Sequence, residues 1–396
     1  MTKAQREGDD ARGSALRLDP LSVPAFRRAR AAGADDGGRR GAVEVLDYHT
    51  AGEPFRIVTS GLPEIQGTTI LERRRWLREH ADELRRLLMW EPRGHADMYG
   101  GVLVPPDHDD AVCGVLFLHN EGYSTMCGHG TIALATALVE TGAVAATGPA
   151  TRFGIDAPCG LLSAEARVDP DELLAAASEG RTPRVREVAF ENVPSFAAAL
   201  DATVTVPGYG EVRFDVGYGG AFYAVLPAER MGLTLTRERT PDAVAAARAL
   251  VDAARAAIRD GGPVAEALGV RHPHEDDLSF LYGAILTGPA EDPSHHDRNL
   301  CVFAEGEVDR SPTGSGVSAR LAIDHARGRI GTDEDVAVES ILGRDSVFVG
   351  RIVRTERWGG LDAVVPEVRG AAHVTGRASF VLDEGDTIGE GFLLPR

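Results

Sequence analysis

Of the four cysteines in the 396-residue chain, at positions 113, 127, 159 and 301, one has neighbours suited to chemistry. Cys127 is followed by Gly128, His129 and Gly130, and then by an Ala-rich apolar run that ends at Gly142. The thiol therefore stands at the entrance of a predicted helix. A helix N-terminus offers amides without intrahelical partners and a partial positive charge, and glycines let an anion approach that backbone closely. The same field favours thiolate, which predicts a pKa for Cys127 below the free value of about 8.5 and a role as base or nucleophile. Cys113 and Cys301 fall inside strand-like runs, and with Cys159 they read as small buried hydrophobes.

The pattern returns later in the chain. Aligning Cys127 with Thr313 superposes MCGHGTIALATALVETG on PTGSGVSARLAIDHARG. Each block has the form (Cys or Thr)-Gly-x-Gly, and each reaches a Gly fifteen residues on, at Gly142 and Gly328. Phe117 and Phe303 coincide ten residues upstream. Each copy reads as strand, glycine-rich turn and helix, so duplication predicts two similar domains facing each other across a cleft. Two facing helix entrances make a carboxylate cradle.

These entrances need strands and helices to hold them. Short Val-rich runs bounded by Gly and Pro (GVLVPP, AVCGVLFLH, RFDVGYGGAFYAVL, LCVFAEGEV, SVFVGRIVR, ASFVLD) predict strands, and the first strand-like run, AVEVLDYH, starts at Ala42. One amphipathic surface helix is predicted over 69–89 and a second over about 241–260, ended by Gly261 and Gly262. Residues 1 to about 40 read as a poorly ordered extension.

Composition narrows the function. With 42 Lys and Arg against 60 Asp and Glu, the formal charge is -18, which repels phosphate backbones and argues against nucleic-acid partners. No run of 18 apolar residues and no N-terminal apolar segment are present, so membrane spanning and secretion are not expected. The scattered cysteines fit a reducing, cytoplasmic setting. His272, His274, His295 and His296 lie in Pro/Asp-rich loops without metal-ligand spacing, so they are expected to be solvated and no metal is expected. The Gly-x-Gly turns lack the Lys or third Gly of nucleotide-binding loops.

Six blocks carry a family likeness: DYHTAGEP (47–54), EPRGHADMYGG (91–101), MCGHG (126–130), VGYGGAFYA (216–224), DRSPTGSG (309–316) and VTGRASFVLD (374–383). In this order they resemble the proline racemase superfamily, from about residue 44 to residue 383. The resemblance implies an α+β protein of the diaminopimelate epimerase-like fold, with two pseudo-symmetric domains, each a curved sheet around a central helix, and the active site in the cleft between them. The implied domains are 41–185 plus 370–396 and 186–369, after the extension 1–40. It implies a small imino acid substrate, no cofactor such as pyridoxal phosphate, and, since members often form dimers, a homodimer.

Family racemases carry a second cysteine in the DRSP-x-G block, where this sequence has Thr313. Inversion at Cα needs an acid/base on each ring face, and an unactivated threonine hydroxyl is far too weak an acid. The Cys/Thr pair instead resembles the superfamily's trans-3-hydroxy-L-proline dehydratases, which form pyrroline-2-carboxylate. In that substrate the Cα hydrogen and the 3-hydroxyl share a ring face, so Cys127 alone is expected to remove the proton and return it to the departing hydroxide. Backbone N–H groups of Gly128, His129, Gly314 and Ser315 are expected to bind the carboxylate and hold delocalised charge. By resemblance, Asp309 approaches the ring nitrogen. Thr313 is expected to bond substrate or water, or to cap its helix. His129 is a candidate acid through its side chain, and Tyr99 a candidate pocket wall. Block membership does not by itself give His49, Glu53, His95 or Asp97 a role. The alternatives are a proline racemase or 4-hydroxyproline 2-epimerase, and a non-catalytic amino-acid-binding protein.

Overall fold

A computed structural model of the chain describes residues 40–383 and 385–394; apart from residue 40, the predicted N-terminal extension lies outside them. The run Ala111–His119 is apolar on both faces, and from Val115 to Leu118, Gly283 to Leu286 and Leu300 to Phe303 every residue is buried. Such strands must be covered on both sides. In the first set of strands, Ala372–Leu382 pairs antiparallel with Arg40–Thr50, and Arg40–Thr50 antiparallel with Glu53–Ser60. Glu53–Ser60 runs parallel to Tyr99–Val104, which is antiparallel to Ala111–His119, which is parallel to Ala150–Ala157. Antiparallel pairings then lead through Gly160–Arg167 to Glu187–Glu191.

The same succession of antiparallel and parallel pairings recurs in the second set. It runs from Phe196–Val206 through Gly210–Tyr218, Phe222–Pro227, Leu281–Gly288, Asp297–Phe303, Val336–Ser340 and Gly343–Trp358 to Leu361–Gly370. The sets join edge to edge where Leu361–Gly370 pairs with Glu187–Glu191. A strand close to the chain's C-terminus thus supplies the first position of the first set.

Each set wraps one central helix, Gly128–Glu140 in the first and Gly314–Ala326 in the second, both of 13 residues. Their glycine stops, Gly142 and Gly328, have φ of 76° and 68°, the left-handed conformation that ends helices. Every residue from Gly128 to Val139 is buried, as a helix apolar all round requires. Truncating Leu134 or Leu138 to Ala would cost about 2–5 kcal/mol through lost burial and the cavity left. Among the described residues, no helix is long and apolar enough to cross a membrane.

The helix predicted over 69–89 is instead two, Ile70–His80 and Asp82–Met89, separated at Ala81, whose φ of -149° is not helical. Thr69 and Glu72 form a reciprocal capping box at the first. Asp82 starts the second, its carboxylate held by Arg85 and by the Tyr123 hydroxyl at 3.0 Å. Nor is this region a simple surface. Arg73, Arg74 and Arg85 are buried because their guanidinium groups reach the carbonyls of Pro105, Tyr123 and His119. The helix predicted from 241 runs Thr240–Asp260.

Candidate active site

The two central helices meet at their N-termini. A Cβ built on Gly128 would lie 2.5 Å from the Gly314 Cα, and one on Gly314 would lie 2.8 Å from the Gly128 Cα. Only glycine on both sides allows that approach. Cys127 and Thr313 are the residues before these glycines and occupy the N-cap positions of their helices. The first amides of each helix, at Gly128, His129, Gly314 and Ser315, have no intrahelical acceptor, so two sets of donors converge on one spot.

Around this junction lies an empty volume of about 250 Å³, small beside ordinary ligand pockets. Cys127, Gly128, His129, Asp309, Thr313 and Ser315 line it together with Tyr99, Met126, Tyr223, Tyr282, Cys301 and Phe303. Six of the seven residues singled out as a site in the sequence line it, and the seventh, Gly314, packs against Gly128 at the same junction. Cys301 faces the pocket rather than serving only as core, because its register partner Asp309 does so too. Tyr223, Tyr282 and Cys301 escaped the sequence reading as wall residues. Tyr223 carried a signal, standing in the VGYGGAFYA block, and Phe303 carried one as the repeat partner of Phe117; nothing marks Tyr282.

The Cys127 Sγ accepts from the Gly130 N–H at 3.2 Å and stands 3.4 and 3.5 Å from the two ring nitrogens of His129. The His129 ring is itself fixed, edge-on to Tyr99 and Phe55, with Nδ1 3.8 Å from the Asp309 carboxylate. Thiol, imidazole and carboxylate therefore form a buried series, each no more than 5% exposed. The expected depression of the thiol pKa is not found. Burial, together with the Asp309 and Glu53 carboxylates, pushes Cys127 well above its ordinary value, and the Gly130 amide and Tyr99 hydroxyl do not offset this. The helix field seen from the sequence is outweighed by charges that only folding brings near. Burial also pushes Asp309 upward, but the His129 ring, the Ser311 contact and the Thr313 hydroxyl win and hold it below the usual carboxylate value. The Ser311 N–H donates to Asp309 at 2.7 Å, so this residue shapes the turn as well as facing the pocket.

Thr313 differs from its counterpart. Its φ is 65°, a strained value for a β-branched residue, and its side chain makes no capping bond. The capping role weighed for it is therefore not taken. Its Oγ1 is buried without a partner in hydrogen-bond geometry, near the Asp309 carboxylate and the Cys301 thiol.

The histidines of the loops are placed elsewhere. His272 is buried against Tyr218 and Trp358, not solvated, and burial pushes its pKa down to about 4. His274 also lies on Trp358, and His295 bonds Glu339 at 2.9 Å. The described residues include no group of three or more side chains placed to hold a metal. None of residues 289–299 lines the pocket.

The sequence profile described as proline racemase matches residues 45–393. The chain belongs to the proline racemase family. Within it, the chain is 47% identical over 354 residues to the trans-L-3-hydroxyproline dehydratase of Xenopus tropicalis, covering 89% of this chain and 95% of that protein. It is 45% identical to a 3-hydroxyproline 2-epimerase of Burkholderia multivorans, covering 89% and 98%. Among solved structures, a hydroxyproline epimerase from Agrobacterium vitis with bound trans-4-hydroxy-L-proline superposes with a TM-score of 0.78 at 29% identity, over 89% of this chain and 96% of the other. The α+β fold of two pseudo-symmetric halves is that of the proline racemase family. The trans-3-hydroxy-L-proline dehydratase of Homo sapiens is likewise 45% identical over 356 residues, covering 89% of this chain and 94% of that protein, and the pair at the two helix entrances bears on the same choice.

Proposed function

We propose that this protein dehydrates trans-3-hydroxy-L-proline to pyrroline-2-carboxylate. One observation carries the reading: a thiol stands at one helix entrance and a weakly acidic hydroxyl at the other. The substrate carboxylate binds the converging amides of Gly128, His129, Gly314 and Ser315, which also hold negative charge as it spreads from Cα. Asp309, kept ionised, holds the ring nitrogen as a cation through a charge-assisted hydrogen bond, and this acidifies the Cα proton. His129 is within reach to take the Cys127 proton, and the substrate's own cation helps offset the carboxylates that disfavour thiolate.

Cys127 thiolate then removes the Cα proton, forming an S–H bond. The electron pair left at Cα forms the double bond to C3 as the C3–O bond breaks, and the thiol returns its proton to the departing hydroxide. Water leaves, and the enamine tautomerises to the imine. Proton loss and hydroxide departure share one ring face, so one acid/base suffices. Thr313, across the site, supplies a hydrogen bond and no proton.

The test is to incubate the protein separately with trans-3-hydroxy-L-proline, trans-4-hydroxy-L-proline and L-proline, following imine formation and optical rotation together. Imine from the 3-hydroxy compound alone is the expected result. Inversion of proline or of the 4-hydroxy compound would replace this reading with an epimerase.

A further inference from the structure

Two acidic side chains beside the pocket have been given no contact with substrate, and both come from sequence blocks that gave them no role. Glu53 is 0% exposed, and its Oε2 accepts from the Arg310 backbone N–H at 2.6 Å and lies 2.8 Å from the same residue's Nε. Asp97 accepts from the backbone N–H of Val308 at 2.9 Å. The Arg310 guanidinium completes the arrangement, with one nitrogen donating to the Asp97 carbonyl at 3.0 Å and another 3.5 Å from its carboxylate. Residues 308 and 310 are the two neighbours of Asp309.

The strand that carries Asp309, Glu307–Asp309, has three residues and one ladder partner, Asp297–Phe303. Alternate N–H groups of a strand point to opposite sides, so those of 308 and 310 face away from that ladder. Both are captured by carboxylates from the first set of strands and its loops, across the seam between the halves. The hold continues at Glu307, which bonds the His119 ring at 2.8 Å and receives the Glu121 amide at 3.1 Å. Asp97 is itself braced. Its φ of 63° is left-handed, and its N–H donates at 2.6 Å to the buried Asn120 side chain, which in turn donates to the Met89 and His95 carbonyls.

We infer that Glu53 and Asp97 are positioning residues that clamp the peptide on either side of Asp309 and thereby set its carboxylate against the substrate's ring nitrogen. The inference rests on the role given to Asp309 above. With one clamp gone, the short strand shifts relative to the helix entrances. The ring-nitrogen contact is lost, while the carboxylate cradle, built on other elements, stays. The clamp therefore governs recognition of the cation and leaves recognition of the carboxylate alone.

Two ligands separate these contributions: L-proline, with a ring cation and a carboxylate, and tetrahydrofuran-2-carboxylate, with the carboxylate and a neutral ring oxygen. Their dissociation constants are measured by calorimetry on the full-length protein. Asp97→Gly removes the carboxylate and suits the left-handed backbone. It is expected to weaken L-proline about tenfold, the size of a lost charged hydrogen bond, and the furan acid by less than about twofold. Asp97→Asn keeps an acceptor for the Val308 N–H and should restore most of the affinity for L-proline. Glu53→Gln is the second probe, expected to shift L-proline in the same direction. If it does not fold, the Asp97 pair still decides.

Equal losses for both ligands, no loss for either, or no rescue by Asp97→Asn would overturn the clamp. Asp309→Asn tells the two failures apart. It should erase the preference for L-proline. If the preference survives, the ring-nitrogen reading of Asp309 falls and takes the clamp with it. If the preference is erased while the Asp97 variants behave like wild type, only the clamp falls.

Discussion

The entrances of the two central helices occupy equivalent places in a duplicated fold and differ in almost every local property. At the first, Cys127 has an ordinary extended backbone, with φ -145°, and its sulfur accepts from the N–H of Gly130. At the second, Thr313 is left-handed and its hydroxyl makes no cap. The first places a titratable atom beside His129; the second presents an orphaned hydroxyl from a strained backbone. Symmetry of the scaffold places a helix entrance on both sides, and in the function proposed above the asymmetry of two side chains assigns proton transfer to one of them. Under that proposal the family fold changes from inversion to elimination while keeping one way of holding the carboxylate.

The comparison is most directly broken at the thiol. Cys127→Ser replaces an acid/base that ionises in water near pH 8.5 by a hydroxyl that does not, and imine formation from trans-3-hydroxy-L-proline should fall by roughly a thousandfold or more, with unchanged circular dichroism. Substantial residual turnover would remove Cys127 from the role of base. A smaller effect is expected where the entrances touch. Gly128→Ala adds a Cβ 2.5 Å from the Gly314 Cα, so one helix must retreat, and kcat/KM should drop about 100-fold as the cradle is misaligned.

The raised thiol pKa gives a sign for the pH profile. Burial and the nearby carboxylates disfavour thiolate in the free protein, so the active form becomes more populated as pH rises. kcat/KM should keep climbing, up to about tenfold per pH unit, beyond the ordinary thiol range near 8.5. A plateau reached below pH 8 would mean that His129 overrides the carboxylates. Thr313→Cys sharpens the comparison instead of breaking it. Dehydration should stay within about tenfold of wild type, because Thr313 carries no proton, while deuterium uptake with inversion at Cα of L-proline should appear in D₂O. Failure to invert would show that more than acidity separates the two entrances. Thr313→Ser keeps the hydroxyl and should change turnover by less than about threefold.

Much of this site was legible before folding. Helix entrances can be read because a cysteine or threonine before Gly-x-Gly, followed by an apolar run and a glycine stop, is a local pattern with local causes. The repeat made the two entrances partners, and the pocket does gather Cys127, Thr313, Asp309 and their neighbours. The wall was less legible. Tyr282 and Cys301 reach the pocket through strand register, which depends on pairing with distant segments. The break at Ala81 and the burial of Arg73, Arg74 and Arg85 likewise depend on carbonyls far along the chain.

Sequence by itself determined which chemistry was available: one thiol and one hydroxyl at two duplicated helix entrances, with glycines to admit an anion between them. Tertiary structure decided which charges surround the thiol and which groups hold the peptide on either side of Asp309. Burial and charge from Asp309 and Glu53 raise the Cys127 pKa against the helix field, and Glu53 and Asp97 meet the neighbours of Asp309 only across the seam. Helix dipoles and turns are fixed by residues a few positions apart. Desolvation and the distance between charges exist only once remote segments have packed together.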